Sequence, residues 1–380
     1  MAEKQPLRVL QINSGSENFG GVSSFLFNVY THIDRNKVQF DFLSPNITTY
    51  GIHKKEIKQM GGKIYALGIT GNVLTKKVKL YFRLKRFLKV HPYSIVHINS
   101  GNFFFNLFVA KAAKKAKITN LYIHSHSTEN PASLKAKKKA TVILKSTLAK
   151  CGSRLLACSN EAAEYMFGKK RTGAVKIVRN GVSVDRFVYD ETIREKIRTD
   201  LNINDYHVVG NVGRFSPPKN HDYMIDVFSE LYKKDKRAVL LLIGDGEEKT
   251  RVVNRIKERG ISDRVTVLGT QKDIEKYYQA MDVFLFPSTW EGLGMVLVEA
   301  QISGLPCIAS TRVPREAAVC ENVKFLDISA QNVGEWVETI MNDMNMKRKS
   351  RDKDAYRCGY SIERVASELE RLYLQDADTK

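Results

Sequence analysis

The sequence predicts an α/β protein built as two Rossmann-like, parallel-sheet domains, and three observations support this. Its 380 residues exceed the size at which one hydrophobic core keeps growing. Short apolar runs alternate with amphipathic stretches along the chain, the pattern of βαβ units. That alternation pauses once, in the polar stretch 185–206, and then restarts.

In the first half the expected strands are 8–12, 40–43, 64–67, 95–98, 120–124, 155–158 and 175–178. Val22, Leu26, Val29 and Ile33 fall on one helical face directly after Gly20-Gly21. The second half restarts with strands at 208–212, 238–243, 265–268, 283–287 and 306–310, after a helix expected at 191–201. The first domain is therefore expected to span 1–187 and the second 188–360. Ile362, Val365, Ala366, Leu369, Leu372 and Tyr373 form the apolar face of a last helix within 361–380, and such a face must dock on something. No repeat of 20–50 residues and no low-complexity tract is evident.

With 43% hydrophobic and 27% charged residues, the composition is that of a globular chain with ample core material. No run approaches the roughly 20 apolar residues of a membrane span. The opening run Leu7–Ile12 is too short and polar for a signal peptide and reads as a first buried strand. Five cysteines, an odd count without a C-x-x-C pair, make a disulfide framework or zinc site unexpected and suit a reducing cytoplasm. The net charge of +20 is unevenly divided: residues 1–190 hold 32 Lys/Arg against 10 Asp/Glu (+22), leaving 29 against 31 (−2) for the rest. Such asymmetry points to a polyanionic partner for the first half, a membrane surface or nucleic acid. Lys76, Lys79, Arg83 and Arg86 lie on one helical face, with Leu80, Leu84, Phe87 and Leu88 on another. This fits a membrane-surface helix and equally an outer helix with a cationic solvent face.

The densest chemical signal is Pro287-Ser288-Thr289-Trp290-Glu291-Gly292-Leu293-Gly294, leading into a helix that carries Glu299. A strand ends, a glycine loop follows, and a helix begins near Leu293. Backbone N–H groups at such a helix start suit a diphosphate. Carboxylates eight residues apart can both reach one pocket and accept from sugar hydroxyls, or can both be solvated. Gly213-Arg214-Phe215-Ser216-Pro217-Pro218-Lys219-Asn220 places two cations in a loop after another strand, where they could neutralise a diphosphate or face water. Gly244 and Leu268 stand at strand ends in glycine turns. The loop Ser14–Gly21 is not G-x-G-x-x-G, which argues against a dinucleotide enzyme. His124 and His126 close a strand, where a histidine is either structural or part of a site; no third metal ligand stands nearby.

Glu291 and Glu299, with Arg214 and Lys219, resemble the E-x7-E and G-R-x(4)-K-N patterns of family-4 (group 1) retaining glycosyltransferases. Members of that family have the GT-B fold: two Rossmann-like domains facing a cleft, with the last helix crossing back to the first. Gly304–Ala309 and Asn180–Phe187 also resemble family segments. The resemblance implies that Glu291 contacts the donor hexose and Glu299 the nucleotide ribose. It implies that Arg214 and Lys219 hold the pyrophosphate beside Gly292, Leu293 and Gly294, and that Gly244 and Leu268 border the nucleoside. Gly20 and Gly21 would face the donor phosphates and the acceptor. The site histidine would be His124 first and His126 second, in the H-S-H form of capsule and exopolysaccharide members. The implied reaction moves a hexose from a nucleotide sugar, UDP-linked by family frequency, to a hydroxyl of a glycan or lipid-linked acceptor. No cofactor and no metal are implied: D-x-D occurs only at Asp352–Asp354 and Asp376–Asp378, where solvated charge is expected. The expected protein is cytoplasmic and peripheral on an anionic membrane. A nucleotide-sugar 2-epimerase shares the fold but is disfavoured by the E-x7-E spacing. A nucleic-acid-binding role is disfavoured because no recognised binding motif is present.

Overall fold

The computed structural model describes residues 5–14, 21–46, 50, 53–128 and 138–378. The chain divides into two units, Met1–Val182 with Gly359–Lys380, and Ser183–Cys358.

The first unit is built on a seven-stranded parallel sheet of β1 (Leu7–Asn13), β2 (Val38–Ser44), β3 (Lys63–Ala66), β4 (Ile95–Asn99), β5 (Asn120–Ser125), β6 (Arg154–Ala157) and β7 (Lys176–Ile177). Their spatial order is β3-β2-β1-β4-β5-β6-β7. β2 and β4 are buried along their whole length, and their polar residues, among them Asp41, His97 and Asn99, are buried with them. The second unit carries six parallel strands, β8 (His207–Val212), β9 (Ala238–Ile243), β10 (Val265–Leu268), β11 (Val283–Phe286), β12 (Cys307–Ser310) and β13 (Val323–Leu326), in the order β10-β9-β8-β11-β12-β13. In each sheet the chain winds outward one way and then returns to wind the other way. The switch points lie between β1 and β4 and between β8 and β11. Beyond the carboxyl ends of such strand pairs, open α/β sheets bind their ligands.

Twelve strands correspond to expected ones; β13 was not expected. It is a four-residue edge strand with an exposed lysine at its second position, too short and interrupted to show a period. The domain limits also differ from those expected. The helix Val184–Phe187 belongs to the second unit, where Phe187 packs against Tyr278 and Arg186 pairs with Glu275 at 2.6 Å. The chain re-enters the first unit at Gly359. Val182 N–H donates to Tyr360 at 2.8 Å, Ile362 N–H donates to Val182 at 3.0 Å, and a Cβ on Gly181 would lie 2.8 Å from Ile362 Cα.

The last helix, Ile362–Asp378, returns to the first unit and buries its six expected apolar residues there. It packs beside the helix Gly21–His32. The expectation of a solvated tail fails at Asp376. Its carboxylate pairs with Arg154 at 2.6 Å and accepts from the Tyr122 hydroxyl at 2.8 Å, because the docked helix carries it onto β5 and β6.

The helix Val73–Val90 buries Leu80, Leu84 and Leu88, as its period predicts. Its cationic face divides, however. Lys79 donates to the Thr70 carbonyl at 3.0 Å, and Arg83 donates to those of Leu67 and Gly68 at 2.7 and 2.6 Å. These head groups satisfy the loop before the helix, whereas Lys76 and Arg86 face solvent. Beside them Val78 (49% exposed) and Phe82 (61%) also point outward. Among the described residues no helix is long and apolar enough to cross a membrane.

Candidate active site

The switch point of the second sheet brings together the two loops singled out in the sequence. The loop after β8 supplies Lys219 and the loop after β11 supplies Glu291, and Lys219 Nζ lies 2.7 Å from Glu291 Oε1. The two side chains keep only 17% and 12% of their exposure. Lys219 also stands 4.9 Å from the centre of the Phe286 ring, a cation–π contact, and its stem crosses Gly213, where a Cβ would meet Lys219 Cε at 3.4 Å. The loops are tied by their backbones: Thr289 N–H donates to the Pro218 carbonyl at 2.8 Å and the Asn220 amide to that of Pro287 at 3.2 Å. A cation and a carboxylate fixed side by side at this crevice can serve a ligand that carries both phosphate and hydroxyl groups.

Gly292 lies half-buried in the same loop and Leu293 is buried beneath it. Gly294 opens the helix Met295–Ile302 at φ +90°, and a Cβ there would come within 2.9 Å of Phe286 Cε1. Both conditions demand glycine. The helix starts two residues later than the sequence suggested because this left-handed residue must precede it. Glu299 lies on the helix and accepts from the Tyr278 hydroxyl at 2.8 Å. Burial pushes its carboxyl up to about 7, while the Tyr278 hydrogen bond opposes the shift. An acid raised in the fold contributes stability that is complete below about 4.5 and is lost as pH rises toward 7. Glu299→Gln keeps an acceptor for Tyr278 and removes the titration. The melting temperature of this variant should therefore gain on that of the parent between about pH 5 and pH 8. A pH-independent difference between the two would show that Glu299 does not titrate in this range.

Arg214 does not join Lys219. It is 62% exposed and pairs with Glu247 at 2.9 Å. Gly244, at φ +144°, follows β9 and presses directly on the Gly213 carbonyl, and its N–H donates to the Leu268 carbonyl at 3.1 Å. Gly244 and Leu268 thus form one backbone layer behind the Arg214–Lys219 loop.

In the first unit, polar groups gather where β1, β4 and β5 end. His124 sits inside β5, fully buried, stacked on His97 at 5.4 Å, with His126 tilted against it at 4.0 Å and Phe25 edge-on at 5.5 Å. His126 lies just past the strand, with Nδ1 3.1 Å from Asn180 Oδ1 and Nε2 3.1 Å from Asn99 Oδ1. Burial pushes its pKa down to about 4, so the ring is neutral at physiological pH. Gly21 starts the helix Gly21–His32, and among the described residues nothing outside its chain neighbours and its own helix backbone lies within 4 Å of a Cβ placed on it. Gly20 lies outside the described residues. Among the described residues no three His, Cys, Asp or Glu side chains gather as a metal site requires.

Sequence reasoning missed Tyr278, Glu247 and Phe286, which hold Glu299, Arg214 and Lys219. It also missed Asn99 and Asn180, which hold His126. Asn99 does end a strand, where a polar residue after an apolar run is a usable signal. Tyr278, Glu247 and Phe286 carry none.

Comparison with known proteins accounts for both halves. Residues 19–186 match the family described as Glycosyltransferase Family 4, and residues 193–357 the family described as Glycosyl transferases group 1. EpsF of Bacillus subtilis, named as a glycosyltransferase, is 28% identical over 375 residues, 96% of each chain. The UDP-Gal:alpha-D-GlcNAc-diphosphoundecaprenol alpha-1,3-galactosyltransferase of Escherichia coli is 26% identical over 323 residues, covering 79% of this chain and 80% of its own. Among solved structures, HepE of Anabaena in complex with UDP-glucose superposes with a TM-score of 0.71 at 19% identity, over 98% of both chains. Sucrose-phosphate synthase of Thermosynechococcus elongatus does so with a TM-score of 0.77 at 17% identity, over 98% of this chain and 100% of its own.

Proposed function

Because the chain belongs to the group 1 glycosyltransferases of the GT-B fold, we propose that it moves a hexose from a UDP-sugar to a hydroxyl of a glycan or lipid-linked acceptor, with retention of anomeric configuration, in surface polysaccharide biosynthesis. The observation that carries this reading is the Lys219–Glu291 pair at the switch point of the second sheet. Lys219, aided by Arg214 and the N–H groups of Gly292–Gly294, offsets the charge that grows on the leaving diphosphate. Glu291 accepts from hexose hydroxyls and Glu299 from the ribose, while the layer at Gly244 and Leu268 backs the nucleoside. The acceptor oxygen bonds to the anomeric carbon, the bond from that carbon to the phosphate oxygen breaks, and the hydroxyl proton leaves on the released diphosphate. Gly21 faces the donor phosphates, and the histidines His124 and His126 serve the acceptor side. The UDP donor is supported by HepE, solved with UDP-glucose, and the lipid-linked acceptor by the name of the Escherichia coli relative. No metal or other cofactor takes part.

The test is a panel of nucleotide sugars offered with free and lipid-linked glycans. UDP release should depend on the acceptor, the new linkage should keep the donor's anomeric configuration, and activity should survive EDTA. Epimerisation of donor alone, or rescue by Mn2+ after loss in EDTA, would overturn the corresponding part of the reading.

The excess of +22 in residues 1–190 supports docking of the first unit on an anionic membrane from the cytoplasmic side. Lys76 and Arg86 supply charge, at about 1 kcal/mol for each cation near the surface, and Val78 and Phe82 enter the interface. The protein should co-sediment with vesicles containing anionic lipid, bind zwitterionic ones little, and detach at high salt. Phe82→Ser with Arg86→Glu should weaken binding without changing turnover on a soluble acceptor. A wild-type protein that ignores anionic vesicles at low salt would remove the docking surface.

A further inference from the structure

The first sheet has a pocket at its own switch point. It holds about 470 Å³, and its walls include Lys76, Lys77, Leu80, Phe104, Phe105 and Phe108. Ser14, just past β1, and Asn102, just past β4, border it, which puts it beyond the carboxyl ends of the strands, where open α/β sheets hold ligands. The helices Val73–Val90 and Phe103–Lys115, which pack side by side, form the walls.

The walls are cationic and aromatic at once. Lys77 is half-buried, with Nζ 5.0 Å from the centre of the Phe104 ring and 6.0 Å from that of Phe108. Phe104, though large and apolar, keeps 51% of its exposure. Among the described residues no Asp or Glu lines the pocket. The chain supplies none nearby either, since residues 57–128 hold 13 Lys/Arg and not one acid. Lys76 and Lys77 also stand near the start of their helix, where its dipole disfavours cations and the first turn carries no acidic residue. Their charge therefore does nothing for the helix and stays available to an anion. Cations alone would suit a free anion, and rings alone an apolar ligand. Together in one recess they suit a phosphate joined to a hydrocarbon chain. A membrane surface is met by outward side chains such as Phe82, whereas a recess takes a single molecule.

We propose that this pocket holds the phosphate group and the first apolar carbons of a lipid-linked acceptor. Lys76 and Lys77 meet the phosphate, and Phe104, Phe105 and Phe108 line the chain. The site rests on the reading of the acceptor as lipid-linked.

The test titrates the full-length protein, saturated with UDP to occupy the donor site, with farnesyl diphosphate, a lipid diphosphate short enough to need no vesicle. Wild type should bind it about tenfold more tightly than either inorganic pyrophosphate or farnesol. Lys77→Gln and Phe104→Ser should each weaken farnesyl diphosphate about tenfold. Both variants should keep the wild-type affinity for UDP and co-sediment with phosphatidylglycerol vesicles as wild type does. A wild type that does not bind farnesyl diphosphate, or full affinity in both variants, would overturn the proposal. So would pyrophosphate bound as tightly as farnesyl diphosphate, which would leave only an anion patch. Variants that lose vesicle binding but keep farnesyl diphosphate would assign the pocket to bulk phospholipid and overturn it too. Equal turnover on free and lipid-linked glycans would overturn the reading of the acceptor instead, with the titration unaffected.

Discussion

Lys219→Ala is expected to lower turnover by about 10² to 10³, the scale of losing one preorganised group that stabilises developing charge. It removes the cation facing the diphosphate and leaves Glu291, which keeps 12% of its exposure, without its 2.7 Å partner. Nucleoside-diphosphate affinity should fall by roughly 1–3 kcal/mol, as for a charge-assisted hydrogen bond. Glu291→Gln should reduce turnover by a similar factor but affect UDP binding much less, since the carboxylate addresses the sugar. Each single change disrupts the same pair, so the double variant should cost clearly less than the sum of the two. Additivity within about 0.5 kcal/mol would mean that the groups act independently. Arg214→Ala is the contrast: an exposed cation already paired with Glu247 should cost less than Lys219. A larger effect at Arg214 would move the phosphate contact to the loop's outer edge.

The second large effect is expected at Gly244. A Cβ there would lie 1.9 Å from the Gly213 carbonyl oxygen, on backbone that is itself held by the Gly213 N–H bond to Ile243. With φ at +144°, an alanine is strained as well as obstructed. Gly244→Ala must push the β8 loop off the β9 loop, at a cost of about 3–5 kcal/mol. UDP binding should be lost and unfolding of the second unit should come at lower denaturant. Gly260→Ala supplies the control: φ is +65°, but nothing lies within 4 Å of the added carbon, so the cost should be only about 1 kcal/mol. Denaturation that ranks the two variants equally would refute the close-approach explanation.

The two glycines separate what a sequence can and cannot show. Gly244 and Gly260 both look like turn glycines, and only the proximity of another loop makes one indispensable. Lys219 and Arg214 likewise share one loop and one apparent role. Packing turns Lys219 onto Phe286 and Glu291, and Arg214 out to Glu247. His124 and His126 differ by two positions, which puts one within a buried strand and the other past its end.

By itself the sequence determined the two-unit α/β architecture, twelve of the thirteen strands among the described residues, the docking face of the last helix and the loops that meet at the second switch point. Apolar period and turn residues are local properties, so they can be read along the chain. Only the tertiary structure decided which side chains meet: Lys219 with Glu291, Tyr278 with Glu299, Arg154 with Asp376, and Tyr373 with Gln11. These partners are separated by 72, 21, 222 and 362 positions. No spacing rule reaches that far, because such pairs are set by sheet order and by the burial that limits which partners a polar group can reach.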